Sequence, residues 1–373
     1  MKKVIVWVVV VVLVLWGGYA LMKKDSVDST QPIKIGVVGP FAGPSAAFGE
    51  FINRGIELAM ADLPVEIRNR IVLVKEDDKC TGPDAISAVN KLIQLEKVKY
   101  TIGPLCTTAV VATEKLYEDN GVITLTAGVP SEQIANMGEN HFTFSPEIKY
   151  MMEALSGYVR QNNFSRIGII YVKDAFGEEN YNKFKANFES SGGTVVAAEG
   201  VEKGSMDLRT QILKLKSANP DSIFIALTGG SIVAALKEIE TQGLGNVPKF
   251  AIHGFQTVDV LNGAKNEAEG VIYPYPSSNV STKKIEDYAV KYFNKYAQPV
   301  ELYSSNVYDS FNVLVNAIVK CGYDDNKCVQ KNIKDTKNYD GVNGTVSLDT
   351  RGVATFQQIL LKTVKDGKFQ NLK

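Results

Sequence analysis

The 373-residue sequence has only two histidines, His141 and His253, 112 positions apart, and only four cysteines, none before position 80. Neither cysteine pair has C-x-x-C spacing and no histidine stands near either pair, so a structural or catalytic zinc centre is not expected. No Gly-x-Ser-x-Gly elbow, no phosphate-loop Gly-Lys-Ser/Thr and no Gly-x-Gly-x-x-Gly occurs. An enzyme, a nucleotide-dependent protein and a resident cofactor are therefore not the expected readings. Nor is there an excess of one charge: 41 basic residues face 41 acidic ones. Lys2, Lys3, Lys23 and Lys24 sit at the front, so the remainder holds 37 basic against 41 acidic residues. A body of that sign cannot neutralise a run of phosphates, which excludes nucleic acid as a partner.

What is present points to a folded, exported body. The length accommodates about two domains of typical size. An apolar share of 45% and a charged share of 22% are ordinary globular values. One stretch departs from that average: Val4 to Met22 is free of charge and rich in Val and Leu. It is long enough to nearly span a hydrocarbon core, so residues 1–24 read as a signal peptide or an N-terminal membrane anchor. Gly18-Tyr19-Ala20 offers a small-x-small cleavage site, and no cysteine follows for lipid attachment. Residues 25–32 read as a polar tether, and everything after them lies outside the cytoplasm, at the periplasmic or extracellular face of the membrane, anchored or secreted. In that oxidising setting the local pairs Cys80 with Cys106 and Cys321 with Cys328 read as two disulfides, although four cysteines allow three pairings.

Beyond residue 32, short β-rich runs alternate with helical periodicity. Ile33 to Val38 is followed by an apolar face through Ile52, Ile56 and Ala59. Further strands are expected near Ile71 to Val74, Tyr100 to Ile102 and Val122 to Leu125. The series restarts after Phe142 to Pro146 with strands at Ile167 to Val172, Thr194 to Ala197, Ile223 to Leu227 and Phe250 to Ile252. Two such βα series predict two lobes, each a parallel sheet covered by helices. Two consecutive helices follow Tyr275-Pro276, and Val342 to Leu348 with Val353 to Val364 reads as a β-hairpin.

Open α/β sheets bind ligands beyond the carboxyl ends of their strands, and two facing lobes bring both sets of ends to one cleft. The loops after strands therefore supply the site candidates. In the first lobe these are Phe48, Thr107, Thr108, Gly128 and Ser131; in the second, Phe176, Thr228 and His253, with Asp174 the nearest acid. Thr107 and Thr108 open a helix, where hydroxyls and free N–H groups suit a carboxylate, or where Thr107 serves as a cap. Phe48 stacks on a ligand or plugs its loop into the core. Gly128 admits a ligand to the backbone or serves a turn, and Phe176 and His253 line the site or belong to the core.

Three segments carry a resemblance: IKIGVVGPFAGPSAAFGE (33–50), DDKCTGPDAISAVNKLIQLEKVKYTIGPLCTT (77–108) and GVNGTVSLDTR (341–351). They resemble the leucine/isoleucine/valine-binding proteins, type I periplasmic solute-binding proteins of ABC importers, over about residues 33 to 365. The resemblance implies two Rossmann-like lobes joined by a three-strand hinge. It assigns residues 33–146 and 276–338 to lobe 1 and residues 147–275 and 339–373 to lobe 2. It implies a Cys80–Cys106 bond, a ligand carboxylate held at Thr107 with help from the Gly128–Ser131 loop, and aromatic walls at Phe48 and Phe176. Where the family supplies a Glu for the ligand ammonium, this chain has His253; the hydroxyl expected in the Gly128 loop falls on Pro130, and an aromatic near Thr228 is missing. The implied function is capture of a small polar ligand, an amino acid of the branched-chain type or a similar molecule, and its delivery to ABC permease subunits. The rival expectation is a membrane-tethered sensor ectodomain of the same fold.

Overall fold

The computed structural model describes residues 31–128, 131–276, 282–356 and 359–372. The apolar run from Val4 to Met22 lies outside them, and among the described residues no helix is long and apolar enough to cross a membrane. Of the expected 25–32 tether, residues 25–30 lie outside the described residues. Gln31 is already fastened to the body, its carbonyl accepting from Arg70 Nε at 3.0 Å and its amide donating to Asp324 at 3.0 Å.

The first sheet contains β1 (Ile33–Gly39), β2 (Ile71–Asp77), β3 (Tyr100–Ile102), β4 (Ile123–Thr126) and β5 (His141–Thr143), all parallel in the order β2-β1-β3-β4-β5. In β1, Ile33, Ile35, Val37 and Val38 are all fully buried, as a strand covered on both faces requires. The covering helices carry their own start signals. Helix Gly82–Gln94 begins where the Thr81 hydroxyl accepts from the Asp84 N–H, and it buries Ala85, Ala88, Val89, Leu92 and Ile93 along one stripe. Gly36 lets that helix approach: a Cβ there would meet Leu92 at 2.9 Å.

The second sheet has β6 (Arg166–Val172), β7 (Thr194–Val201), β8 (Ser222–Ala226), β9 (Lys249–Ala251) and β10 (Ile272–Pro276), again parallel among themselves. A third, small antiparallel sheet holds β11 (Tyr339–Gly341), β12 (Gly344–Leu348) and β13 (Ala354–Phe356). Finally β14 (Ile359–Lys365) and β15 (Lys368–Asn371) return to the second sheet, where β14 runs antiparallel to β10. The chain thus passes between lobes three times: after β5, after β10 and between β13 and β14. The expected α/β class with two lobes is what the fold contains.

Two expectations about the end of the chain are corrected. The stretch Val353 to Val364 is not one hairpin strand, because its halves belong to different sheets. Nor does the second lobe begin again at residue 339: Val342, Val346, Leu348 and Ala354 share an apolar cluster with Ile35 and Phe311 of the first lobe. The reason is local. Asp309, on helix Leu302–Cys321, accepts from the Val342 N–H at 3.0 and 3.1 Å, and Val353 bridges in parallel to Thr143 beside β5. Residues 339–356 therefore pack with the first lobe, and the return to the second lies between β13 and β14. At the crossovers Arg351 reaches the buried Glu147 at 2.6 Å and Asp349 at 2.7 Å, tying the hairpin to the first passage.

Both local disulfides are formed, Cys80–Cys106 with Cα atoms 5.4 Å apart and Cys321–Cys328 at 5.6 Å. Burial pushes the Asp309 carboxyl up to about 7, above its unfolded value, with its contacts to the Val342 and Asn343 backbone opposing the shift. The folded chain consequently keeps a proton there that the unfolded chain has released, so this group's contribution to stability is full at low pH and falls as pH rises through 7. Asp309→Asn should flatten that part of the profile: the drop in denaturation midpoint between about pH 4.5 and about pH 8 is expected to be smaller in the variant than in the parent chain. An identical drop in both proteins would contradict the assignment.

Candidate functional site

A cavity of about 260 Å³ lies between the lobes, at the carboxyl ends of the parallel strands of both sheets. Its first-lobe wall comes from the loop after β1 (Pro44, Ser45, Phe48), the turn after β2 (Cys80), the loop after β3 (Leu105 to Thr108) and Gly128 after β4. The second lobe adds Asp174 and Phe176 after β6, Lys203 after β7, Thr228 to Gly230 after β8, and Gly254, Thr257 and Asp259 after β9.

Helix Thr107–Asn120 points its N-terminus at this space. Its cap position is Cys106, without a side-chain cap bond, so Thr107 is not the cap that the sequence left as an alternative. The first intrahelical bond runs from Val110 N–H to the Cys106 carbonyl at 2.9 Å, leaving the N–H groups of Thr107, Thr108 and Ala109 ahead of it. No acidic residue lies in this first turn. Thr107 is 6% exposed, and its hydroxyl has no hydrogen-bond partner among the described residues. The Cys80–Cys106 bond forms part of the same wall and anchors the turn.

The other candidates sort themselves by what they touch. Phe48 lines the cavity and also packs edge-on against Tyr303 at 5.4 Å and Phe51 at 6.0 Å, which ties its loop to the core. Gly128 borders the cavity, but its lack of a side chain answers a structural need: a Cβ there would lie 2.3 Å from the Leu105 carbonyl oxygen. Thr228 and Phe176 are wall residues.

Two candidates stand off the cavity. Ser131 caps the helix Glu132–Ala135, its hydroxyl accepting from the Ile134 N–H at 3.2 Å, and it is 5% exposed. His253 is buried behind the wall, with Nε2 3.0 Å from the Tyr303 hydroxyl and its ring edge-on to Phe176 at 5.8 Å. Burial pushes its pKa down to about 3, so a neutral imidazole occupies the place where the resemblance expected an acid.

Sequence reasoning missed Tyr303, Lys203, Thr257 and Asp259. Tyr303 was legible only as part of an apolar helix face, and it does pack there. Lys203 stands in Glu202-Lys203-Gly204, a short loop without a pattern. Asp259 and Thr257 lie just beyond the loop that was singled out after β9; Thr257 caps helix Val258–Ala264. Asp174 was noticed as the nearest acid, and its Oδ1 accepts from the Gly177 N–H at 2.9 Å. The ammonium of Lys203 makes no ion pair among the described residues. Loss of hydration in the cleft lowers its pKa, and the Asp174 and Asp78 carboxylates oppose that shift.

A family model described as "Periplasmic binding protein" matches residues 32–368. The chain belongs to the periplasmic binding protein family. This places it with binding proteins of transporters that work in the periplasm or at the cell exterior. Among its relatives, the Leu/Ile/Val-binding protein homolog 3 of Brucella melitensis biotype 1 is 25% identical over 362 residues, spanning 91% of this chain and 94% of the relative. A solute binding protein from R. palustris, solved in complex with benzoate, matches with a TM-score of 0.85 at 23% identity over 91% of this chain and 95% of that one. A branched-chain amino acid transporter substrate binding protein from Streptococcus pneumoniae, in complex with isoleucine, matches with a TM-score of 0.81 at 20% identity over 92% and 99%. The two structures establish a shared fold. They hold different ligands, so the fold alone does not select one for this periplasmic binding protein.

Thr107→Ala removes the unpartnered hydroxyl without removing a cap bond. Calorimetric affinity for a bound carboxylate is expected to fall about 10-fold, the loss of one hydrogen bond to a charged group, with the ligand-free melting temperature unchanged. Undiminished affinity would show that the hydroxyl does not touch the ligand.

Proposed function

We propose that this chain is the extracytoplasmic receptor of an ABC importer. It captures a small carboxylate-bearing solute, in the first instance an amino acid of the branched-chain type, and delivers it to the permease subunits in the membrane. One observation carries the reading: the unpartnered Thr107 hydroxyl beside free N–H groups, at an acid-free helix N-terminus inside a cavity walled by both lobes. The partial positive charge and the open donors at such a terminus favour a carboxylate. Leu105, Val233 and Val260 offer an apolar surface to an aliphatic body, and Asp174 and Asp259 on the opposite lobe offer carboxylates to an ammonium. A ligand that touches both lobes favours the closed arrangement over the open one, and a permease would recognise that closed shape.

A second reading, an aromatic carboxylate, has its own support. Four rings, Phe48, Phe51, Phe176 and Tyr303, border the cavity, and the acid expected at His253 for an ammonium is missing. Offset and edge-on ring contacts suit a benzoate-like body.

A thermal-shift screen of amino acids, their amides and aromatic acids separates these readings, since a ligand at about 100 times its Kd adds roughly 2.7 kcal/mol to stability. A selective rise with isoleucine, leucine or valine, together with a smaller radius of gyration by small-angle scattering, is the expected result. A rise with benzoates alone selects the second reading. Binding without compaction would contradict capture by closure.

A further inference from the structure

We infer that Lys203 is the second lobe's contact to the ligand carboxylate, so that the anion is clamped between the N-terminus of helix Thr107–Asn120 on one lobe and the Lys203 ammonium on the other. This inference rests on the reading of the cavity as a carboxylate site, and it adds the residue that couples that site to closure.

Lys203 lies two residues beyond Val201, the end of β7, and borders the cavity; among the described residues lining it, Lys203 is the only cation. Lys203 lines the same cavity as Cys80, Cys106, Thr107 and Thr108 of the first lobe, with the Asp174 and Asp78 carboxylates acting on it electrostatically. Asp78 follows β2 in the first lobe, and its Oδ1 accepts from the Cys80 N–H at 2.8 Å. Cys80 is bonded to Cys106, the residue directly before the helix. The second-lobe cation therefore shares one cavity of about 260 Å³ with the Thr107 hydroxyl and the free first-turn N–H groups.

The consequence follows from charge. A helix N-terminus carries roughly half a positive charge, so bringing an ammonium toward it is unfavourable while nothing lies between them. Asp174, Asp259 and Asp78 moderate this repulsion, the first two from the cavity wall and the third from a fully buried position. A carboxylate seated between the two positive groups turns repulsion into attraction on both sides. The ligand anion then adds to the direct lobe-to-lobe bonds, such as that of His253 to Tyr303, in making the closed state favourable. A neutral ligand of the same shape lacks this coupling.

The test uses calorimetric titration of the full chain, Lys203→Met and Lys203→Arg with L-isoleucine, benzoate and benzamide at low and high salt. The carboxylate that binds the parent chain is expected to lose about 10-fold or more in affinity with Lys203→Met. Its salt dependence should become shallower, Lys203→Arg should recover most of the affinity, and benzamide should be indifferent to the change. Melting temperatures of the ligand-free variants, expected to match the parent, exclude a folding defect. Unchanged carboxylate affinity in Lys203→Met overturns the inference while leaving the carboxylate reading intact. An equal loss for benzoate and benzamide also overturns it, making Lys203 a lobe-to-lobe contact with Asp78 or Asp174. If the parent chain binds benzamide but neither carboxylate, the reading of the site fails and the inference falls with it.

Discussion

The parallel direction of the strands in both lobes is the constraint on which the rest depends. Each parallel strand must be followed by a covering helix, so every loop at the carboxyl edge delivers a helix N-terminus to the same side of its sheet. With the two edges facing each other, helices beginning at Ala46, Thr107, Ala175 and Gly230 all start at the cavity wall. Their partial positive charges and leading N–H groups make that space favourable for an anion before any side chain is considered. Side chains then divide the space: Asp174 and Asp259 set negative charge on the second lobe, while the first turn of helix Thr107–Asn120 carries none.

Holding that helix in place requires bonds that the helix itself does not supply. The Cys80–Cys106 disulfide closes a loop of about 27 residues, worth roughly 3.5 kcal/mol in the chain-entropy picture, and sets the residue before the helix. Beneath it, the Thr126 hydroxyl donates to the Pro104 carbonyl at 2.6 Å and the Thr124 hydroxyl to the Gly103 carbonyl at 2.7 Å, binding the loop after β3 to β4. Gly128 completes the contact, since no side chain fits against the Leu105 carbonyl. The start of helix Thr107–Asn120 is thus held by a disulfide, two buried hydroxyls and one close backbone approach.

How much of this was legible depended on whether a residue's role is set by its chain neighbours or by distant ones. Strands such as Ile33 to Val38, the helix stripe Ala85 to Ile93, the two-lobe alternation and the positions of Thr107 and Thr228 after strands follow from local pattern, and the structure contains them. Ser131 and His253 were read from their loops in the same way, yet a cap bond to Ile134 turns one away and a bond to Tyr303, 50 residues further on, buries the other. Lys203 and Asp259 follow β7 and β9 in the same way, but their segments carry no residue pattern that marks them out. The misplaced boundary at residue 339 has a distant origin, because the Asp309–Val342 contact joins segments 33 residues apart.

A crystal structure of the full chain with a bound carboxylate from the screen tests the central claim most directly. The account predicts the carboxylate within hydrogen-bond distance of the Thr107 hydroxyl and the Thr108 N–H, with the Lys203 ammonium on its other side. A carboxylate directed instead toward Thr228 and Gly230, or toward solvent, with the Thr107 hydroxyl still unpartnered, would contradict it.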